Sequence, residues 1–315
     1  MLEVFGNKAT RFGFGEGLVE LGKENTKIFA LGADTTTSVA INDFKEMFPD
    51  RFLNVGIAET NLLGMAAGLA VAGFIPFVST YGVFASGRPW EQIRTTICYS
   101  NLNVKIGGSH SGLMAGPDGA THQALEDIAI MRCLPKMKVI VPCDFVETKR
   151  AVIASAYSDG PVYIRYGRES TPIFTRDATP FVIGKANVLR DGNDVAIMAC
   201  GTMVYESLMA AEILEKKGIK TKVVNIHTIK PIDEETIIAT AKECGAIVTV
   251  EEHQLYGGFG SAVAEVLIKN FPVPVEMVGV KDKFGESGKA MDLMAKYELK
   301  DINIADAALR VLKRK

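Results

Sequence analysis

The chain has 315 residues, 48% of them hydrophobic and 23% charged, with a formal charge of −2. That balance suits a well-packed protein of two ordinary domains. It excludes a nucleic-acid binder built on a basic stripe and a chain with an acidic solvating tail, while leaving anionic small substrates open. The longest apolar stretch, residues 62–78, is broken by three glycines and a proline, so it predicts no membrane span.

In chain order, the pattern predicts a buried strand over 27–32 and a helix over 59–72 that is apolar nearly all round. A strand follows over 75–79, a helix over 87–100, a strand over 103–107, a helix over 123–132 and a strand over 139–142. A helix over 145–158 and a strand over 162–165 complete the first block. Residues 169–181, ESTPIFTRDATPF, are rich in Ser, Thr, Pro and Asp without periodicity and read as a linker. Then come strand 195–200, helix 204–217, strand 222–225, helix 233–244, strand 246–251, helix 261–270 and strand 275–278. A last helix, capped by Asp301 and running to Leu312, is basic at its end. Short Val- and Ile-rich runs alternating with longer periodic segments predict an α/β protein of two open, doubly wound sheets in series. The expected limits are 1–168 for the first domain, 169–184 for the linker and 185–315 for the second.

Five cysteines (Cys98, Cys133, Cys143, Cys200, Cys244) show no CxxC pair or metal-ligand spacing, and each lies in or beside an apolar stretch. The N-terminus lacks the apolar run of a signal peptide. A reducing, cytoplasmic setting is the expectation, with no metal held by this chain.

Glu59, in NVGIAETN, stands between an apolar strand and an apolar helix. By itself it reads as a helix N-terminal acid favoured by the macrodipole, or as a buried carboxyl placed to share a proton with a ligand. The helix it starts carries Gly64 and Gly68, each costing roughly 1 kcal/mol of helix propensity, for which close packing would compensate. That helix is either central to one domain or buried at a subunit interface. His110, Asp118 and His122 share the glycine-rich loop GGSHSGLMAGPDGATHQ between a strand end and a helix start, the place where open α/β sheets bind ligands. Tyr81 and Phe84, three residues apart, can project together from a helical turn. Arg11 and Arg168 read as solvated charges or as phosphate ligands. EEHQLYGGFGSAVAE could hold an anion at a helix start, or its glycines only shape a turn.

Taken together, KATR, GAD, FLNVGIAETNLLGMAAGLA, SHSGLMAGPDGATHQ and IRYGRES, in that order, resemble the C-terminal half of the transketolase family: a pyrimidine-binding domain followed by the C-terminal domain. The family's GDG…N signature, which holds a diphosphate through a metal, is missing, so the chain resembles the smaller subunit of a split enzyme. The resemblance implies thiamine diphosphate shared across a subunit interface, with Mg2+ or Ca2+ on a separate N-terminal subunit, in a heterotetramer. It also implies self-association, and no nucleic acid or membrane as partner. Glu59 would bond the aminopyrimidine N1′, and Tyr81 and Phe84 would stack on that ring, while Gly87 stands where many relatives carry a further aromatic. Arg11, His110, Arg168 and Ser38 would grip a sugar phosphate, Asp118 a sugar hydroxyl, and His122 would sit near the reacting carbonyl. The implied reaction moves a two-carbon ketol unit from xylulose 5-phosphate to ribose 5-phosphate. Three rivals remain. The 1-deoxyxylulose-5-phosphate synthases usually have an aspartate–arginine pair at Ser109-His110. The β subunits of 2-oxoacid dehydrogenases lack the THQ loop. A non-catalytic assembly subunit would not need Glu59, Asp118 and His122 together.

Overall fold

The computed structural model describes residues 2–315. A short strand β1 (Asn7–Ala9) leads into helix α1 (Thr10–Glu24), which the sequence pattern does not reveal. Its run TRFGFGEGLVELG places glycines where helix propensity is poorest, and tertiary packing is what holds it. A Cβ at Gly13 would lie 2.3 Å from the Phe145 carbonyl oxygen, and one at Gly15 would lie 2.0 Å from that of Ala40. The glycines let α1 sink onto its neighbours.

Strands β2 (Ile28–Gly32), β3 (Phe52–Asn54) and β4 (Ile75–Tyr81) alternate with α2 (Asn42–Met47) and α3 (Glu59–Val71). Helix α3 begins at the predicted residue. Leu62, Leu63, Ala66 and Ala67 face the core, whereas Asn61, Gly64, Met65 and Gly68 are exposed. The helix predicted over 87–100 is instead α4 (Gly82–Gly87), α5 (Trp90–Gln92) and a π-type turn (Ile93–Cys98). Strand β5 (Lys105–Ser109) starts two residues later than expected and runs through Gly107 and Gly108, where the Tyr163 hydroxyl would stand 2.1 Å from a Cβ on Gly108. The first half continues with α6 (Asp127–Arg132), β6 (Lys138–Ile140), α7 (Phe145–Ala156) and β7 (Val162–Arg165). Helix α7 is capped by the Asp144 carboxylate accepting from the Glu147 amide at 2.9 Å. The expected linker opens with a strand, β8 (Ser170–Pro172), antiparallel to β1. It has no periodicity because it spans only three residues.

The second half holds β9 (Asn187–Arg190), β10 (Val195–Ala199), α8 (Met203–Glu215), β11 (Thr221–Asn225), β12 (Thr228–Lys230), α9 (Glu234–Cys244) and β13 (Ile247–Gln254). It ends with α10 (Phe259–Asn270), β14 (Val275–Val280), α11 (Ala290–Lys296) and α12 (Asp301–Leu312). Its five strands run in the order β14-β13-β10-β11-β9, parallel except for β9. The first sheet has seven strands, β12-β6-β7-β5-β4-β2-β3, and its edge strand β12 comes from the second half, antiparallel to β6. One hydrophobic core likewise joins Leu62, Val78 and Ile106 to Ile229, Phe259 and Val263. The two sheets are thus in series along the chain but interlocked in space. Among the described residues no helix is long and apolar enough to cross a membrane. All five cysteines are unpaired, and four are buried; Cys133 is exposed, contrary to its apolar neighbourhood in sequence.

Candidate active site

Strands β2, β3, β4, β5 and β7 are parallel, so they all deliver the chain at one sheet edge, the edge at which α/β sheets bind ligands. The loop after β2 brings Ser38, the loop after β3 ends at Glu59, and β4 ends at Tyr81 with Phe84 in the turn beyond. The loop after β5 carries His110, Asp118 and His122, and the loop after β7 carries Arg168. Arg11 reaches the same edge from the start of α1, because the Gly167 amide donates to Thr10 Oγ1 at 2.7 Å and the Arg11 amide donates to the Gly167 carbonyl at 3.3 Å.

Four rings form one cluster. His110 lies flat against Tyr81, with centroids 4.1 Å apart and planes at 10°. Tyr81 and Phe84 are parallel at 5.9 Å, and His122 stands edge-on to both, at 5.8 and 5.2 Å. His110 sits at φ 55°, a left-handed conformation rare outside glycine and a source of local strain in the loop after β5. Burial, followed by the charges of Arg11 and Arg168, pushes its pKa down to about 3, so the ring is neutral at neutral pH. It therefore offers a neutral hydrogen-bonding edge. Its Nδ1 already pairs with Ser109 Oγ at 2.8 Å.

The cationic side of the site is the arginine pair. Arg168 donates through Nη1 to the Ala115 carbonyl at 3.2 Å and meets Asp118 Oδ2 at 3.1 Å. Arg11 Nη1 donates to the backbone carbonyl of Ser38 at 2.9 Å, so Ser38 orients Arg11 through its main chain. Burial and then the like charge of Arg168 lower the Arg11 pKa, and Arg11 Nε is buried without a partner. An arginine that feels the charge of a second arginine and keeps an orphaned donor suits an anion.

Glu59 is buried at the start of α3 and pairs with Arg88, whose Nη1 lies 2.8 and 2.9 Å from the two carboxylate oxygens. Arg88 follows Gly87 directly and is not among the residues that the sequence singles out. The Phe84–Arg88 spacing of four residues on a turn was the available signal, and the Arg88 guanidinium indeed stacks 4.0 Å over the Phe84 ring.

The second half props the loop from β5 from below. The Met114 amide donates to Glu252 Oε1 at 2.7 Å, and Gln123 Nε2 donates to the Glu286 carbonyl at 2.9 Å. Buried Arg165 donates to Asp127 through Nε at 2.9 Å and to the Glu252 carbonyl through Nη2 at 2.9 Å, while the Tyr163 hydroxyl donates to Asp127 at 2.8 Å. This internal network was invisible in sequence because its members are far apart along the chain. The amides at the glycine-rich start of α10 are already occupied: the Glu251 carboxyl accepts from Phe259 at 2.6 Å and from Gly260 at 2.8 Å. Burial raises the Glu251 pKa to about 7.

Residues 7–173 match the family model "Transketolase, pyrimidine binding domain", and residues 184–304 match "Transketolase, C-terminal domain". The chain is 46% identical to a putative transketolase C-terminal section of Methanocaldococcus jannaschii, over 98% of this chain and 97% of that protein. It is 43% identical to a 6-deoxy-6-sulfo-D-fructose transketolase subunit of Clostridium sp. (strain MSTE9), over 95% of this chain and 92% of the relative. A solved structure described as a split gene transketolase, inactive beta4 tetramer, superimposes with a TM-score of 0.91 at 48% identity, covering 98% of this chain and all of that one.

Proposed function

This chain belongs to the transketolase family, and from that premise we propose that it is the C-terminal subunit of a split, thiamine-diphosphate-dependent transketolase. The observation that carries the reading is the meeting, at one sheet edge, of a buried carboxylate, a stacked aromatic pair and two electrostatically coupled arginines. These residues fit the cofactor's pyrimidine half. Glu59 would accept from its ring nitrogen, and Phe84 and Tyr81 would lie along its flat face. When bound, thiamine diphosphate supplies the electron sink for breaking and making the carbon–carbon bond. The diphosphate and its Mg2+ or Ca2+ fall to a separate N-terminal subunit. The first domain would be the pyrimidine-binding one, over about 1–168 together with β8, and the second would run over 185–315 as its support.

Arg11 and Arg168 would hold the anionic end of a ketose phosphate, remote from the reacting carbon, where it supplies alignment and binding energy. Neutral His110 would bond a hydroxyl beside them, Asp118 a second hydroxyl, and His122 would face the reacting carbonyl. The relative from Clostridium is named for a sulfonated sugar, an anion of similar reach. The donor proposed here is xylulose 5-phosphate and the acceptor ribose 5-phosphate. The open face of α3 with Gly64 and Gly68 is where the partner subunit would pack, and isolated chains would self-associate. A cytoplasmic setting accords with five free thiols.

The test is reconstitution with the N-terminal subunit and Mg2+. Product analysis by mass spectrometry should give sedoheptulose 7-phosphate, and the chain alone should give none. Arg168→Ala should raise KM for xylulose 5-phosphate by about 10- to 100-fold, the loss of one charge-assisted contact, and leave hydroxypyruvate almost unaffected. Deoxyxylulose phosphate from pyruvate and glyceraldehyde 3-phosphate, in place of sedoheptulose phosphate, would replace this assignment with a synthase.

A further inference from the structure

Glu59 is the deepest charge of the site, its side chain 5% exposed, whereas the side chain of Arg88 is 48% exposed. A carboxylate so buried needs a counter-charge or hydrogen-bond donors, or its ionised form becomes costly. Among the described residues Arg88 is the only cation paired with it. The same guanidinium lies on the Phe84 ring. A planar, delocalised group that donates N–H to Glu59 and stacks on Phe84 makes the two contacts assigned above to the aminopyrimidine.

We propose that Arg88 is an internal substitute for the aminopyrimidine: it fills the cofactor's seat in the free subunit, keeps Glu59 and Phe84 in place, and must be displaced when the cofactor binds. This rests on the thiamine diphosphate reading. Arg88 is anchored in the backbone between α4 and α5, so the exchange is a swing of the side chain. Its open side faces water, to which a long charged side chain is released readily. The seat is then never an empty pocket around a bare carboxylate. Part of the cofactor's binding energy goes into displacing the arginine, so the subunit holds cofactor only when the partner's contacts to the diphosphate add to it.

The test titrates the complex of this chain with its N-terminal subunit and Mg2+ against thiamine diphosphate by isothermal calorimetry. Arg88→Ala should bind about tenfold more tightly than wild type, since a half-exposed ion pair and a cation–π contact no longer compete. Arg88→Lys, which keeps the charge without the plane, should fall between the two. In a Glu59→Gln background, where Arg88 has lost its ionic partner, the Arg88→Ala gain should shrink to less than about twofold. Unchanged or weaker binding by Arg88→Ala and Arg88→Lys with wild-type circular dichroism, or equal gains in both backgrounds, would overturn the proposal. A wild-type complex that binds no thiamine diphosphate would remove the cofactor reading itself, and this proposal with it.

Discussion

Helix α1 carries Gly13, Gly15, Gly17 and Gly22, and helix α3 carries Gly64 and Gly68, yet their surroundings are opposite. All four glycines of α1 are buried, and a Cβ at Gly15 or Gly13 would collide with backbone oxygen. A Cβ at Gly64 or Gly68 would meet nothing within 4 Å, and Val71 beside them is 74% exposed. In α1 the loss of helix propensity is offset inside the chain by close packing on α7 and on the loop before α2. In α3 the same loss has no return within one subunit. The contrast teaches that a glycine-bearing apolar helix can be read as an interface only after asking which of its glycines are already used.

Three substitutions would break or sharpen that contrast. Gly15→Ala should act most strongly. Its Cβ would stand 2.0 Å from the Ala40 carbonyl oxygen, and overpacking against backbone should lower stability by about 2–3 kcal/mol, even after the helix-propensity gain. Thermal unfolding would show it as a clear drop in Tm, and an unchanged Tm would mean that the segment 33–41 yields freely and that α1 is not tightly packed after all. Gly68→Leu comes next. It should not destabilise the dilute chain, helix propensity adding about 1 kcal/mol at most, while weakening association with the N-terminal subunit by at least about tenfold, as expected for a bulky side chain forced into a close helix contact. Undiminished association in sedimentation experiments would move the interface elsewhere. Gly64→Ala should have the smallest effect and the opposite sign: up to about 1 kcal/mol of stabilisation of the dilute chain, from helix propensity alone. A lower Tm would show that α3 is already packed against another copy.

The same contrast marks the limit of what sequence discloses. The doubly wound plan was legible from the alternation of apolar runs, and the start of α3 fell at Glu59 because GIAETN changes there from extended to helical pattern. All nine residues named as site candidates lie at or beyond the C-terminal ends of the first sheet's strands, or at the start of α1 beside them. That edge was implied by parallel topology, which places the ends of successive strands together. Glycine misled where it serves packing rather than turning. Helix α1 shows no legible period, and the strand expected over 103–107 stops short of Gly108, although that glycine makes room for the Tyr163 hydroxyl. Long-range polar pairing was invisible for a different reason. Neither the Arg88–Glu59 pair nor the Glu251 carboxylate at the start of α10 follows from local spacing, because each depends on how loops and strands are brought together. The charge state of His110 follows from burial, which no local motif encodes.

Strand β12, lent by the second half to the edge of the first sheet, makes the two halves a poor pair of modules. Its ladder to β6 is short, but it covers a flank that would otherwise be an unpaired strand edge, open to any extended chain. The core joining Val78 and Ile106 to Phe259 and Val263 reinforces the lock. A gene cut within residues 174–183 would therefore yield a first fragment with a sticky flank and a second with a homeless strand. Swapping the rear half for that of a relative would succeed only if the donor's counterpart of Thr228–Lys230 kept its register with Val139 and Ile140. For this chain the unit that can be inherited, exchanged or engineered is the interlocked pair.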